Sequence, residues 1–326
     1  MLNKIFRNQN FPLFFLLLIL ISVIIASAAN SQETNSDNKE LAVSTQDAAT
    51  STQEAETPSG DYVGSQECAG CHEDQMKSIE HTVHHSQAFQ QRSDHGCETC
   101  HGPGKAHVES GGDATLIRNF KTLTPRDSTA VCLTCHEKGN QQHWKGSVHD
   151  MRGLACTTCH SIHSAKSDHA QLKQAVVDQI CTGCHLEVKS AIQRTSHHPI
   201  REGLMSCNDC HNPHGTLTPK MITANSVNEQ CYKCHTEKRG PFLWDHPPVR
   251  ENCLNCHMPH GSNHEKLLAQ NRPWLCQNCH LDTRHPGTLY DATNQLSSNR
   301  ELARSCSNCH SAIHGSNHPS GRVFTR

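Results

Sequence analysis

The run Cys181-Thr182-Gly183-Cys184-His185, followed by Cys207-Asn208-Asp209-Cys210-His211-Asn212-Pro213-His214, holds the pattern from which the fold follows. A Cys-x-x-Cys-His run closing one helical turn puts residues i, i+3 and i+4 on one face. Two thiols there can add to the two vinyl groups of one porphyrin while the next His swings beneath the ring to ligate iron. This is the c-type haem attachment signal.

Working outward, the same run occurs ten times, and it uses all 20 Cys. The thiol anchors are Cys68 and Cys71, Cys97 and Cys100, Cys132 and Cys135, Cys156 and Cys159, Cys181 and Cys184, Cys207 and Cys210, Cys231 and Cys234, Cys253 and Cys256, Cys276 and Cys279, and Cys306 and Cys309. The proximal ligands are then His72, His101, His136, His160, His185, His211, His235, His257, His280 and His310. Zinc ribbons and disulfide scaffolds also use paired cysteines, but neither needs His after the second one. With 28 His in 326 residues, ten such histidines by chance would have a probability on the order of 10⁻¹¹.

Eighteen histidines lie outside the motifs, whereas only five Met (Met76, Met151, Met205, Met221, Met258) lie beyond the apolar N-terminus, so Met cannot ligate ten irons. Bis-histidine ligation is the economical expectation. The best-placed distal ligands after each motif are His84, His107, His149, His163, His198, His214, His246, His260, His285 and His314. Their distances from the preceding motif His alternate long and short, a repeat of about 50 residues that gives five two-haem units with irregular first and last copies. Three residues span at most about 11 Å. His163, His214 and His260, three residues after a motif His, therefore cannot reach round that motif's own porphyrin and must serve a neighbouring haem. A following Pro favours His198 over His197; the parallel of His260-Gly261-Ser262-Asn263-His264 with 314–318 favours His314 over His318; Val83-His84 echoing Val148-His149 favours His84 over His85. His81, His85, His95, His143, His169, His197, His264 and His318 read as surface or propionate-contacting side chains, and Trp144, Trp244 and Trp274 as packing against porphyrin.

The composition agrees with a cofactor-filled interior. Only 34% of residues are hydrophobic and 4% aromatic, too few for two ordinary cores of this length. A formal charge of −2 gives no basic patch, which excludes nucleic acid as a partner. Ten haems with their propionates would take the ferric holoprotein to about −14. Lys4 and Arg7 precede an apolar run from Phe11 to Ala26, and Ala26-Ser27-Ala28 offers a cleavage site, so residues 1–28 read as a signal peptide and the protein as periplasmic; an uncleaved anchor is the rival reading. Residues 29–60, with Glu33, Asp37, Glu40, Asp47, Glu54 and Glu56 against Lys39, form an acidic Ser/Thr-rich linker. The decahaem domain occupies 61–326, as short α-helices and loops with little strand; a helical stretch is expected over 171–194.

Beyond the motifs, Ser226-Val227-Asn228 before Cys231, Glu237-Lys238-Arg239-Gly240-Pro241 through Trp244-Asp245-His246, the run Cys210 to Gly215, and His314-Gly315-Ser316-Asn317-His318-Pro319-Ser320-Gly321 resemble the periplasmic decahaem cytochromes of outer-membrane electron conduits, the Mtr-type metal-reduction and dimethyl-sulfoxide-respiration family. The resemblance covers about 61–326. It implies ten bis-histidine c-type haems in an elongated wire, sheathed by an outer-membrane β-barrel protein. It further implies electrons taken from a periplasmic or inner-membrane quinol-linked cytochrome and passed to an outer-surface multihaem cytochrome or terminal reductase in anaerobic respiration. A carrier rather than a catalyst is expected, because two axial His leave no open iron position. The alternative, a multihaem reductase of nitrite for example, needs one open site.

Overall fold

The computed structural model describes residues 61–86, 95–280 and 306–325, all within a unit spanning Thr57–Arg326. The leader 1–28, the linker 29–60 and His285 lie outside the described residues.

Each motif closes on itself. In all ten, the backbone N–H of the motif His donates to the carbonyl of the first Cys at 2.8–3.1 Å, one α-turn. The five odd-numbered motifs, counted in chain order, lie on helices: α1 (Ser65–Cys71), α2 (Pro125–Leu133), α3 (Val177–Thr182), α4 (Val227–Tyr232) and α5 (Trp274–Gln277). The N-termini of α2 and α4 are fixed by side chains: Thr124 Oγ1 accepts from Asp127 N–H, with Pro125 preset for the first turn, and Ser226 Oγ accepts from Glu229 N–H. The even motifs occupy single turns, for example Cys156–Cys159 and the 3₁₀ turns Cys207–Asp209 and Cys253–Asn255.

The helix expected over 171–194 is two pieces, α3 and Leu186–Ala191, parted by the turn that carries Cys184 and His185. His185 leaves helical geometry at ψ 68°, since the attachment turn must aim its imidazole away from the helix. Among the described residues β structure is limited to isolated bridges, including Ser196 with Ser262 and Trp244 with Ser316.

Side chains joining the two motifs of a unit recur three residues before the odd motif. Ser65 Oγ accepts from Cys97 N–H at 3.1 Å, Asp178 from Cys207 N–H at 3.0 Å and Asn228 from Cys253 N–H at 2.8 Å, while Thr129 Oγ1 lies 3.9 Å from Cys156 Sγ. The buried apolar residues are few and scattered: Ile79, Trp144, Ala155, Leu172, Ile192 and Phe324. Leu204, Leu217 and Leu243 are 78%, 88% and 75% exposed, so the polypeptide leaves large apolar side chains uncovered where an ordinary domain would bury them.

Candidate haem sites

All twenty cysteines are free of disulfides. First thiols pair within each unit. Burial and then the neighbouring thiolate push Cys68 up to about 11 beside Cys97, Cys231 beside Cys253 and Cys276 beside Cys306 likewise. A hydrogen bond from Cys132 lowers Cys156 to about 7, and one from Cys207 lowers Cys181. Successive units also meet: Cys100 feels Cys135, Cys159 feels Cys181 and Cys184, Cys210 feels Cys231 and Cys234, and Cys256 feels Cys279. The anchors thus neighbour one another in sequence order from the first motif to the tenth.

The histidines meet in twos. His72 faces His107 at 6.3 Å between ring centroids, His101 faces His163 at 6.3 Å, and His84 faces His136 at 6.0 Å. The series continues with His160 and His214 (6.1 Å), His149 and His185 (6.3 Å), and His211 and His260 (6.1 Å). It closes with His198 and His235 (6.3 Å), His257 and His314 (6.1 Å), and His246 and His280 (6.1 Å). With a metal–nitrogen bond of about 2 Å and about 1 Å from nitrogen to ring centre on each side, two imidazoles sharing an iron have centroids about 6 Å apart. The nine pairs fit that spacing, which is too wide for direct ring stacking or hydrogen bonding.

The pairing follows a rule that skips a motif. His84, His149, His198 and His246 each lie after one odd motif and face the next odd one, whereas His163, His214, His260 and His314 each lie after an even motif and face the preceding even one. His107 alone closes the first pair within its own unit.

Backbone carbonyls orient the rings. A carbonyl can only accept, so an Nδ1 bound to one carries the proton and Nε2 keeps its lone pair for metal. Among even motifs, His101 donates to Arg118 O (2.9 Å), His160 to Ala170 O (2.6 Å), His211 to Lys220 O (2.8 Å), His257 to Lys266 O (2.8 Å) and His310 to Val323 O (2.5 Å). Three of these carbonyls belong to non-glycine residues in the left-handed region, Ala170 (φ 59°), Lys220 (φ 61°) and Lys266 (φ 57°). Such strain persists where the surroundings over-determine it, and here it aims an acceptor at a ring. Odd pairs use the other partner: His107 donates to Asp113 O, His149 to Pro213 O and His198 to Pro259 O, each at 2.8 Å. Burial lowers the pKa of His84, His163, His214, His246 and His260, and takes His314 to about 4. Neutral imidazole is the ligating form.

Several of the remaining histidines are otherwise engaged. His197 donates from Nδ1 to Arg194 O (2.6 Å) and meets Glu202 with Nε2 (3.1 Å), His318 Nδ1 accepts from Ser320 N–H (3.1 Å), and His95 stacks on Tyr62 at 3.9 Å. Trp144 is buried 6.4 Å from His214, whereas Trp274 is 64% exposed. The carbonyl acceptors and the glycines behind the even distal rings carry no motif that sequence reasoning could have used, except the recurrent His-Gly. Gly261 (φ 145°) comes so close to the preceding unit that a Cβ would sit 2.0 Å from Ala191 O.

Comparison with known proteins agrees with this geometry. The family model for the doubled CXXCH motif matches residues 197–240 and 246–285, that for cytochrome c-type protein NrfB-like matches 97–184, and that for cytochrome c554 and c-prime matches 27–102. The multiheme cytochrome MtrA of Shewanella baltica is 43% identical over 237 residues, 71% of this chain and 70% of its own. The cytochrome c-type protein NrfB of Escherichia coli is 29% identical over 97 residues, 29% of this chain and 50% of its own. With its attachment motifs, its thiols free for thioether bonds and its imidazoles set a metal's width apart, the chain belongs to the MtrA family of multihaem c-type cytochromes and is an electron-transfer protein rather than an enzyme.

Proposed function

We propose that the chain holds ten c-type haems, each iron between a motif His and the partner His that faces it, with His285 opposite His310 completing the tenth. The observation that carries this reading is the set of nine imidazole pairs at 6.0–6.3 Å, one for every motif from the first to the ninth. Bound there, haem supplies a one-electron couple whose potential the protein tunes through ligand and surroundings. The residues do the rest. Each pair of imidazoles would hold an iron between them and leave no place for a substrate on it, the carbonyls hold ring orientation, and the attachment thiols neighbour one another in motif order, which would set the haems along one path.

The protein acts in the periplasm as a relay, docked in an outer-membrane β-barrel protein. It receives electrons from a quinol-linked cytochrome and delivers them to an outer-surface multihaem cytochrome or terminal reductase in anaerobic respiration. This part rests on family membership and on the leader-like N-terminus. Intact mass of the mature protein should equal the chain after residue 28 plus ten haems, with low-spin spectra throughout. Fractionation should recover it from outer membranes with a barrel protein. Fewer haems, a high-spin iron in the untreated protein, or recovery without any barrel partner would overturn the corresponding part.

A further inference from the structure

The odd-numbered pairs differ in one respect. His107, His149 and His198 each donate Nδ1–H to a backbone carbonyl. His84 donates instead to Gln171 Oε1, and Gln171 Nε2 passes the bond on to Ile162 O at 3.5 Å. In the ninth pair, among the described residues, neither ring donates to such a partner, and His246 Nδ1 is buried and unpartnered.

The cause is visible in the last unit. The carbonyls that serve His149 and His198 come from Pro213 and Pro259, the residues just before the even distal His214 and His260. The equivalent residue for His84 is Ile162, which Gln171 bridges, and for His246 it is Ile313. Here the chain carries one extra residue: Ser161, Asn212 and Met258, each directly after a motif His, donate to the carbonyls of Gln171, Met221 and Leu267, but it is Ala312, two after His310, that donates to Phe324 O. Gln171, Met221, Leu267 and Phe324 are thus one structural position, each following the carbonyl that orients an even motif His and each left-handed, at φ 47°, 56°, 58° and 55°. Where Gln171 offers an amide oxygen, Phe324 puts a buried ring edge-on to His246, with centroids 5.5 Å apart.

An acceptor on Nδ1 makes imidazole a stronger donor and favours ferric iron; its loss, together with an apolar neighbour, favours the less charged ferrous state. We propose that Phe324 makes the His246–His280 site the most readily reduced of the five odd-numbered sites. Phe324 is a positioning residue: it acts on the iron only through what it denies His246. The proposal rests on the bis-histidine reading above.

The test is a potentiometric titration of the full holoprotein followed by electron paramagnetic resonance of the low-spin irons. Wild type should show a one-iron component at the high-potential end. His246→Ala should turn that component high-spin, and Phe324→Gln should keep it low-spin and move it to lower potential. Gln171→Leu, which strips the acceptor from His84, should raise one different component should Phe324→Gln not fold. The proposal is overturned if Phe324→Gln folds and no component moves, or if Gln171→Leu, used in its place, shifts none. It is overturned too if His246→Ala removes a component from the low-potential end. If His246→Ala produces no high-spin iron, the pairing itself is wrong at this site and the proposal falls with it.

Discussion

His84 and His136 face each other with ring centroids 6.0 Å apart, although His84 follows a different motif histidine, His72, by only twelve residues. The second motif of the first unit is thereby bypassed, and in the proposed ligation a histidine carried by one unit would complete the site of the next. Units so interlocked cannot form their sites alone.

That relationship separates two adjacent histidines. Under the proposed ligation, His84→Ala should convert one haem iron to a high-spin form, read by near-infrared and electron paramagnetic resonance spectra, whereas His85→Ala should leave all irons low-spin. The reverse result would reassign the third site to His85.

Gly261 tests how the units are held in register. Its Cβ would meet Ala191 O at 2.0 Å, and the bridge between Ser196 and Ser262 begins one residue later, with bonds of 3.0 and 2.8 Å. Gly261→Ala should destabilise by roughly 2–4 kcal/mol and loosen His260 from His211. Gly153 also has positive φ (73°), but nothing lies within 4 Å of its Cβ position, so Gly153→Ala should cost only about 1 kcal/mol. Thermal unfolding followed by circular dichroism checks the order; equal falls in Tm for the two variants would refute the close-approach argument.

What the sequence made legible is what short-range geometry encodes. Ten attachment turns could be read because Cys-x-x-Cys-His carries its whole construction within five residues, and chain length alone barred His163, His214 and His260 from their own motifs. Which motif each would serve was not readable: the jump from His163 back to His101 is a tertiary choice, made by packing of whole units. Nor could the left-handed turns be foreseen, since Ala170-Gln171, Lys220-Met221 and Lys266-Leu267 contain no Gly or Asn to announce positive φ. The break between α3 and the helix Leu186–Ala191 was hidden for a related reason, apolar periodicity running on through a turn whose shape is dictated by the cofactor motif.

Glu98 supplies a third prediction. Its carboxylate, only 2% exposed, accepts from the N–H groups of Val63 (3.1 Å), Gly64 (2.9 Å) and Gly104 (2.7 Å), tying the segment ahead of α1 to the second motif. Glu98→Ala strands three donors and should destabilise by about 3 kcal/mol. Limited proteolysis should then cut between residues 61 and 64, while Glu98→Gln, which keeps one oxygen acceptor, should be cut more slowly. Identical digestion of wild type and Glu98→Ala would show that the staple contributes nothing.

Removal of the cofactor gives the last prediction. Six scattered apolar residues among those described are buried, and two of them, Trp144 and Phe324, sit beside the paired rings of His214 and His246. Meanwhile Leu204, Leu217 and Leu243 face outward with no polypeptide to cover them. At about 25 cal/mol per Å² of apolar surface, such a core cannot offset the roughly 1–2 kcal/mol of backbone entropy lost by each ordered residue. Porphyrin must supply the missing contact area, as metal does for small metal-dependent domains. The same chain made in cells that lack haem attachment should therefore show the circular dichroism of an unfolded polypeptide and no cooperative melting; a sharp thermal transition in the haem-free chain would mean that the polypeptide holds a core of its own.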